Sequence, residues 1–250
     1  MKNSSLSVWQ PSAEDISSAN VTELMRQMGT DDYDEFYARS ISEPDHYWQM
    51  VMKYCSIVWE KPFDAYLDES RGREFPHWFP GGRINWVDSI LAKAVEPVTR
   101  DLAAVIAERE AGQVSRATYA ELAAQVQAFA AGLETRGLQR GDRIGLLMSN
   151  GLEATVSMLA IAYMGAIAVP LFSGFGMDAI KSRLSACSSK ALIASAGFHR
   201  RGKWVDILGL INATREELPT LETVIVHYPD EVEVATHTTW ASVLESGKGH

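Results

Sequence analysis

Ile144-Gly-Leu-Leu-Met-Ser-Asn-Gly-Leu-Glu-Ala-Thr-Val-Ser-Met-Leu-Ala-Ile-Ala-Tyr-Met-Gly-Ala-Ile-Ala-Val-Pro-Leu171 decides the fold of this 250-residue chain. It opens with a short apolar run, Ile144 to Met148, which reads as a buried strand. Asn150 is placed to cap a helix that runs to about Met164, with Glu153 at its third position. Gly165 is placed to stop that helix, and Ala166 to Leu171 is a second apolar run. Strand, helix and strand in this order imply a right-handed crossover between parallel strands that are covered on both faces.

The pattern repeats on the C-terminal side. Residues 177–187 read as a helix, Lys190 to Ser195 as a third strand, 203–217 as a helix and Glu222 to Tyr228 as a fourth strand. Past residue 229 the signal fades into a charged connection and a short final helix. On the N-terminal side Thr118-Tyr-Ala-Glu121 is a capping box, with Leu122, Val126, Phe129 and Leu133 on one apolar helix face and Gly137 placed as its stop. The expected fold class is therefore α/β, a parallel sheet flanked by helices, over residues 86–250. Residues 1–85 have a different texture, with acidic helical pieces (13–28, 31–39, 44–54), frequent prolines and Trp9, Trp48, Trp59 and Trp78. They read as a mostly helical, aromatic-rich N-terminal extension whose rings supply the buried area.

Charge narrows the function classes. Lys plus Arg number 23 against 32 Asp plus Glu, a formal net charge of −9, which argues against a general nucleic-acid or anionic-membrane binder. Cys55 and Cys187 make neither a disulfide framework nor a metal motif, and with no apolar leader at the N-terminus the expected setting is the cytoplasm. Sequons at Asn3, Asn20 and Asn212 are then chance occurrences. Ala154 to Met177 is uncharged, but Gly165, Pro170, Gly174 and Gly176 break it, so it reads as buried helix and strand rather than a membrane span.

In parallel sheets, ligands bind beyond the carboxyl ends of the strands, which points to loops 149–151, 172–176 and 196–203. Gly174-x-Gly176-x-x-Ala179 follows a strand and opens a helix, the setting of a dinucleotide fingerprint, but Ala194-Ser-Ala-Gly197 brings no acid for a ribose. Gly197, Gly202 and Lys203 nearly fit a P-loop, with Trp204 where a metal-binding hydroxyl belongs. His199, Arg200, Arg201 and Lys203 nevertheless form the densest basic cluster, expected between a strand and a helix N-terminus as an anion site or as a solvated charge run. Arg140-Gly-Asp142 reads as the turn that starts a strand. Cys187 reads as core, and no nucleophile, paired-carboxylate or metal-ligand constellation is evident.

These loops, in this order, resemble the N-terminal part of an acetyl-CoA synthetase-like, AMP-forming acyl-CoA ligase of the adenylate-forming superfamily. Trp78-Phe-Pro-Gly-Gly-Arg-Ile-Asn85, Thr118-Tyr-Ala-Glu-Leu122 with Gly141-Asp-Arg-Ile144, Glu153 to Pro170, Ser173-Gly-Phe175 and Arg200-Arg-Gly-Lys203 carry the likeness. The resemblance implies a ligase for a short-to-medium-chain carboxylic acid that uses ATP with magnesium, and CoA, as substrates. It implies CoA binding by Ser173, Gly174, Arg200 and Lys203, the last two near the 3′-phosphate. Lys203 and Ser173 depart from the arginine and glycine common at those places. The family's phosphate loop, adenylate motifs and C-terminal lysine domain are not among these residues, so the chain is expected to be an incomplete subdomain, inactive alone, that relies on the rest of its full-length chain and self-associates through an exposed sheet edge. Two alternatives stay open from the residues: a stand-alone module for CoA or another phosphorylated ligand, and a dehydrogenase-like dinucleotide domain.

Overall fold

The computed structural model describes residues 9–110, 112–228 and 237–249. The chain divides into two compact units between Ile84 and Asn85.

The first unit strings together four helices, α1 (Ala13–Ser18), α2 (Asn20–Met28), α3 (Tyr33–Ser42) and α4 (Pro44–Tyr54). Polar side chains start them. Ser12 and Asp15 form a reciprocal capping box on α1, and the Asp32 carboxylate accepts the Glu35 N–H at 2.8 Å on α3. Their shared core is small: Met25, Met28, Phe36 and Met50. Beyond α4 a two-residue ribbon, β1 (Leu67–Asp68) and β2 (His77–Trp78), closes a loop-rich segment. Phe79 lies at its centre, with the rings of Trp48, Trp59, Phe63, Tyr66 and Trp78 all 5.2–6.2 Å from its own. Most of these contacts are tilted or edge-on, the arrangement that ring quadrupoles favour.

The second unit begins with α5 (Trp86–Leu91) and a hairpin, β3 (Ala103–Glu108) and β4 (Val114–Thr118). This hairpin is not evident in the sequence, because neither Ala-Ala-Val-Ile-Ala-Glu108 nor Val-Ser-Arg-Ala-Thr118 alternates apolar and polar residues. Then follow α6 (Tyr119–Glu134), β5 (Arg143–Leu147), α7 (Leu152–Tyr163), β6 (Ile167–Pro170), α8 (Met177–Ala186) and β7 (Ala191–Ser195). A second hairpin, β8 (Gly197–Arg200) and β9 (Lys203–Asp206), precedes α9 (Leu208–Glu217), β10 (Thr223–His227), β11 (Thr238–Thr239) and α10 (Trp240–Gly247). Five strands make one parallel sheet in the order β11-β10-β7-β5-β6. The α/β class holds, with β11 as one strand more than the sequence suggests.

Alternation along the central strands feeds two apolar layers. Ile144, Leu146, Ile193 and Ile225 face α5, α6, α7 and α10, whereas Leu147, Leu192, Ala194 and Val226 face α8 and α9. Gly145 makes room on the second face: a Cβ there would lie 2.6 Å from Leu184 Cδ2. The Thr118 capping box is present, with the Glu121 carboxylate accepting the Thr118 N–H at 2.8 Å. Gly137 and Gly165 end their helices as expected, their N–H groups donating to Glu134 and Ala162. α10 docks on α6 by glycine contact. A Cβ on Gly247 would fall 1.8 Å from the Ala128 carbonyl oxygen, and one on Gly132 2.0 Å from that of Val243. Trp240 anchors this helix, stacked 4.8 Å from Phe129 and donating its indole N–H to the buried Ser157 hydroxyl at 2.8 Å.

Two boundaries differ from expectation. Asn150 is not the cap of α7; Gly151 holds that place and no side chain bonds the free amides. Residues 203–206 are strand β9 rather than helix, and α9 starts only at Leu208. The uncharged stretch 154–177 is α7, a turn and β6, and among the described residues no helix is long and apolar enough to cross a membrane. The expected charged connection at 229–236 lies outside the described residues.

Candidate functional site

A cleft of about 440 Å³ opens beyond the carboxyl ends of β5, β6, β7 and β10. All three loops singled out from the sequence contribute: Ser149 and Asn150 after β5, Phe172 and Ser173 after β6, and Gly197 to His199 after β7. The central strands end in polar groups that tie these loops together. The Ser195 hydroxyl accepts the Ser149 N–H at 3.2 Å, and the two hydroxyls lie 3.3 Å apart. Ala196 donates its N–H to the His227 carbonyl at 2.8 Å, which fixes the β7 exit against β10.

Glu153 brings a carboxylate into the cleft from the first turn of α7, where the helix dipole favours an anion. Arg109, near the end of the β3–β4 hairpin, holds a guanidinium nitrogen 3.6 Å from Glu153 Oε1. His227 Nε2, from the end of β10, lies 3.9 Å from the same oxygen. These are loose ion-pair distances, so the three groups form a polar floor rather than a locked triad. Sequence reasoning missed Arg109 and His227 as site residues. The placement of His227 at the carboxyl end of a buried strand was the available signal; nothing local marks Arg109.

The basic segment is a β-hairpin. Gly197, Phe198, His199 and Arg200 pair with Asp206, Val205, Trp204 and Lys203. Arg201 (φ 53°) and Gly202 (φ 73°) both take left-handed backbone, the signature of a two-residue type I′ turn. This corrects the expected setting of His199, Arg200, Arg201 and Lys203. They do not precede a helix N-terminus, because β9 separates the tip from α9. The P-loop spacing is likewise fortuitous, since Gly197 sits beneath Trp204 and a Cβ there would lie 2.4 Å from the indole.

Arg200 and Lys203 are direct cross-strand partners, so their side chains leave the same face of the hairpin. Both are exposed, and among the described residues neither enters an ion pair or a side-chain hydrogen bond. The pair one step back, His199 and Trp204, lines the cleft with rings 5.2 Å apart. The structure thus brings Ser173 into the cleft wall and leaves Arg200 and Lys203 outside the lining, on the hairpin tip one pair beyond His199 and Trp204. Gly174 stays outside the lining. Its lack of a side chain makes room for the Phe172 ring, whose Cε1 would be 2.5 Å from a Cβ. Phe175 closes this turn by donating its N–H to the Phe172 carbonyl at 3.0 Å, and Arg183 lies over its ring at 4.2 Å.

The dinucleotide alternative loses support from the topology. Its glycine turn follows β6, an edge strand, and no acid stands at the end of β7. Among the described residues no group of three or more His, Cys, Asp or Glu is placed to hold a metal ion.

Comparison with known proteins agrees with this geometry. The sequence pattern described as "AMP-binding enzyme" matches residues 93–248, and that described as "Acetyl-coenzyme A synthetase N-terminus" matches 33–89. The chain is 30% identical over 233 residues to an acetyl-coenzyme A synthetase of Methanothrix soehngenii, covering 91% of this chain and 34% of that protein. It is 36% identical over 197 residues to the acetyl-coenzyme A synthetase of Deinococcus radiodurans, covering 78% and 29%. Among solved structures it is similar to the acetoacetyl-CoA synthetase from Streptomyces lividans, with a TM-score of 0.85 at 26% identity, over 94% of this chain and 37% of that one. The chain therefore spans about a third of the length of the relatives it matches.

Proposed function

This chain belongs to the family of AMP-binding enzymes, and we propose that it forms the CoA-binding face of an acid–CoA ligase of the relatives' length. In that reaction a carboxylate attacks the α-phosphorus of ATP, giving an acyl-adenylate and pyrophosphate. The CoA sulfur then attacks the acyl carbon and AMP leaves. Magnesium enters with ATP, and none of the cleft residues is assigned to it or to a bond-making step. The acid is a small one, short to medium in chain, in keeping with relatives named for acetyl, acetoacetyl and 3-hydroxypropionyl groups. The compartment is the cytoplasm, in keeping with two free thiols.

The observation that supports the reading most is the Arg200–Lys203 pair. Two cations side by side on an exposed turn, one pair beyond the lining of a cleft that Ser173 also lines, suit a phosphate dianion. Ser173 then forms part of the cleft wall, with Gly174 next to it in the turn. The segment alone neither adenylates an acid nor exchanges pyrophosphate, and it self-associates through β6, an edge strand whose Ile167 is half exposed. Light scattering on the purified chain checks the association; a monodisperse monomer overturns it.

The test of the CoA assignment is Arg200→Ala in the full-length enzyme. Charge-assisted contacts of this kind are worth roughly 1.5–3 kcal/mol, so KM for CoA should rise about ten- to a hundredfold. Acyl-adenylate formation should be unchanged, because it precedes CoA. The defect should shrink with dephospho-CoA. Equal weakening toward both cofactor forms would show the basic tip to be a solvated face.

A further inference from the structure

We propose that Glu110 is a tethered stand-in for the ligand's phosphate, occupying the basic hairpin tip until a phosphorylated ligand displaces it. The proposal rests on the CoA reading above and adds a residue that sets affinity at that site.

The β3–β4 hairpin ends in a tight turn, in which Gly112 donates to the Arg109 carbonyl at 2.8 Å and Arg109 to that of Gln113 at 2.9 Å. Its charged side chains reach different walls of the cleft. Arg109 goes to Glu153 on α7, whereas the Glu110 carboxylate accepts the backbone N–H of Arg201, 91 residues further along. In a two-residue hairpin the N–H of the first turn residue takes no part in the ladder. It points outward from a tip whose exposed residues include Arg200, Arg201 and Lys203. Such an amide within a cationic patch is a binding point for an anionic oxygen.

Glu110 now fills that point with a carboxylate oxygen. When a phosphate dianion approaches the same cations, the carboxylate becomes a like charge at close range. Glu110 is exposed, so it can swing into solvent at little cost. Its tether to the β3–β4 turn gives it a high effective concentration at the tip, and it returns whenever the ligand leaves. The acid therefore lowers affinity for phosphate while keeping the empty tip ordered.

Loss of a polar contact at the site should then tighten binding, the reverse of the usual outcome. Titration calorimetry of the 250-residue chain with adenosine 3′,5′-bisphosphate reads it directly. Glu110→Gln should bind about three- to tenfold more tightly than the parent chain, and Glu110→Ala at least as tightly, at low ionic strength. The gain should fade near roughly 0.5 M salt. Circular dichroism of both variants confirms that the fold is kept. If the parent binds the bisphosphate and Arg200→Ala weakens it, but both Glu110 variants bind no more tightly, the stand-in is overturned and the CoA reading survives. If the parent fails to bind the bisphosphate at all, the anion site falls and Glu110's role with it.

Discussion

The two units of this chain are held by different means. Among the described residues of the first, only Met25, Met28, Phe36 and Met50 are buried, and a ring of partly exposed aromatics around Phe79 supplies the rest. In the second, aliphatic side chains fill two continuous layers on either face of a parallel sheet. A layered core needs strands long enough to alternate. Among its described residues the first unit has two strands of two residues, so it uses large rings that bury much area from few positions. Gly145, Gly132 and Gly247 are places where the second unit has no room for a side chain. Gly29 in the first unit is different: a Cβ there would meet nothing within 4 Å, and the residue is glycine for its φ of 78°.

Substitution at Gly247 should break the comparison most sharply. Gly247→Val forces α10 off α6 and should cost about 4 kcal/mol or more, read by thermal or urea denaturation. A loss under about 1 kcal/mol would mean that the glycine contact is not a core feature. Phe79→Ala should cost about 2 kcal/mol and remove hydrogen-exchange protection around residues 48–79 while leaving 144–147 and 191–195 protected. Uniform loss of protection would erase the distinction between the two kinds of core. Gly29→Ala should cost only about 1 kcal/mol, the strain of a left-handed alanine, measured in the same denaturation series.

The smallest expected effect is an acid dependence of the first unit. Hydrogen bonds from Ser12 hold the Asp15 carboxyl below its usual range, bonds from Arg39 and His46 do the same for Glu43, and those from Ser70 do so for Asp68. A carboxylate with a depressed folded-state pKa adds stability above its unfolded value, near 4, and loses it as pH falls through the folded value. None of the three groups is buried, so the change is modest. Helicity of 13–54 should decline below about pH 4, and Ser12→Ala should flatten part of that decline, as read by circular dichroism. A decline of the same size in Ser12→Ala would remove Asp15 from the account.

Much of the second unit was legible because its central strands are apolar on both faces. Ile144 to Leu147 and Ala191 to Ser195 have no other stable home than the middle of a covered sheet. The β3 and β9 strands were not, because Ala103 to Glu108 and Lys203 to Asp206 have no local pattern that excludes helix; pairing with a partner strand decides them. The cleft followed from the rule for carboxyl ends, which located three of its loops. Its charged floor did not, since Arg109, Glu153 and His227 lie 44 to 118 residues apart and meet only through the crossovers.

Ala196 gives the basic hairpin a mechanical character. This buried residue receives the Ile207 N–H at 3.0 Å and donates its own to His227, so both ends of the hairpin are pinned at one point of the sheet. The hairpin is thus an arm of four residue pairs, about 13 Å long, hinged at Ala196 and braced where Phe198 and Val205 pack on the α8–α9 layer. A rotation of about 10° at Ala196 sweeps Arg201 through about 2 Å, the difference between a made and a broken hydrogen bond. Small adjustments at the exit of β7 are in this way magnified at the tip, and the tip's grip on an anion becomes a gauge of how the centre of the sheet beneath it is seated.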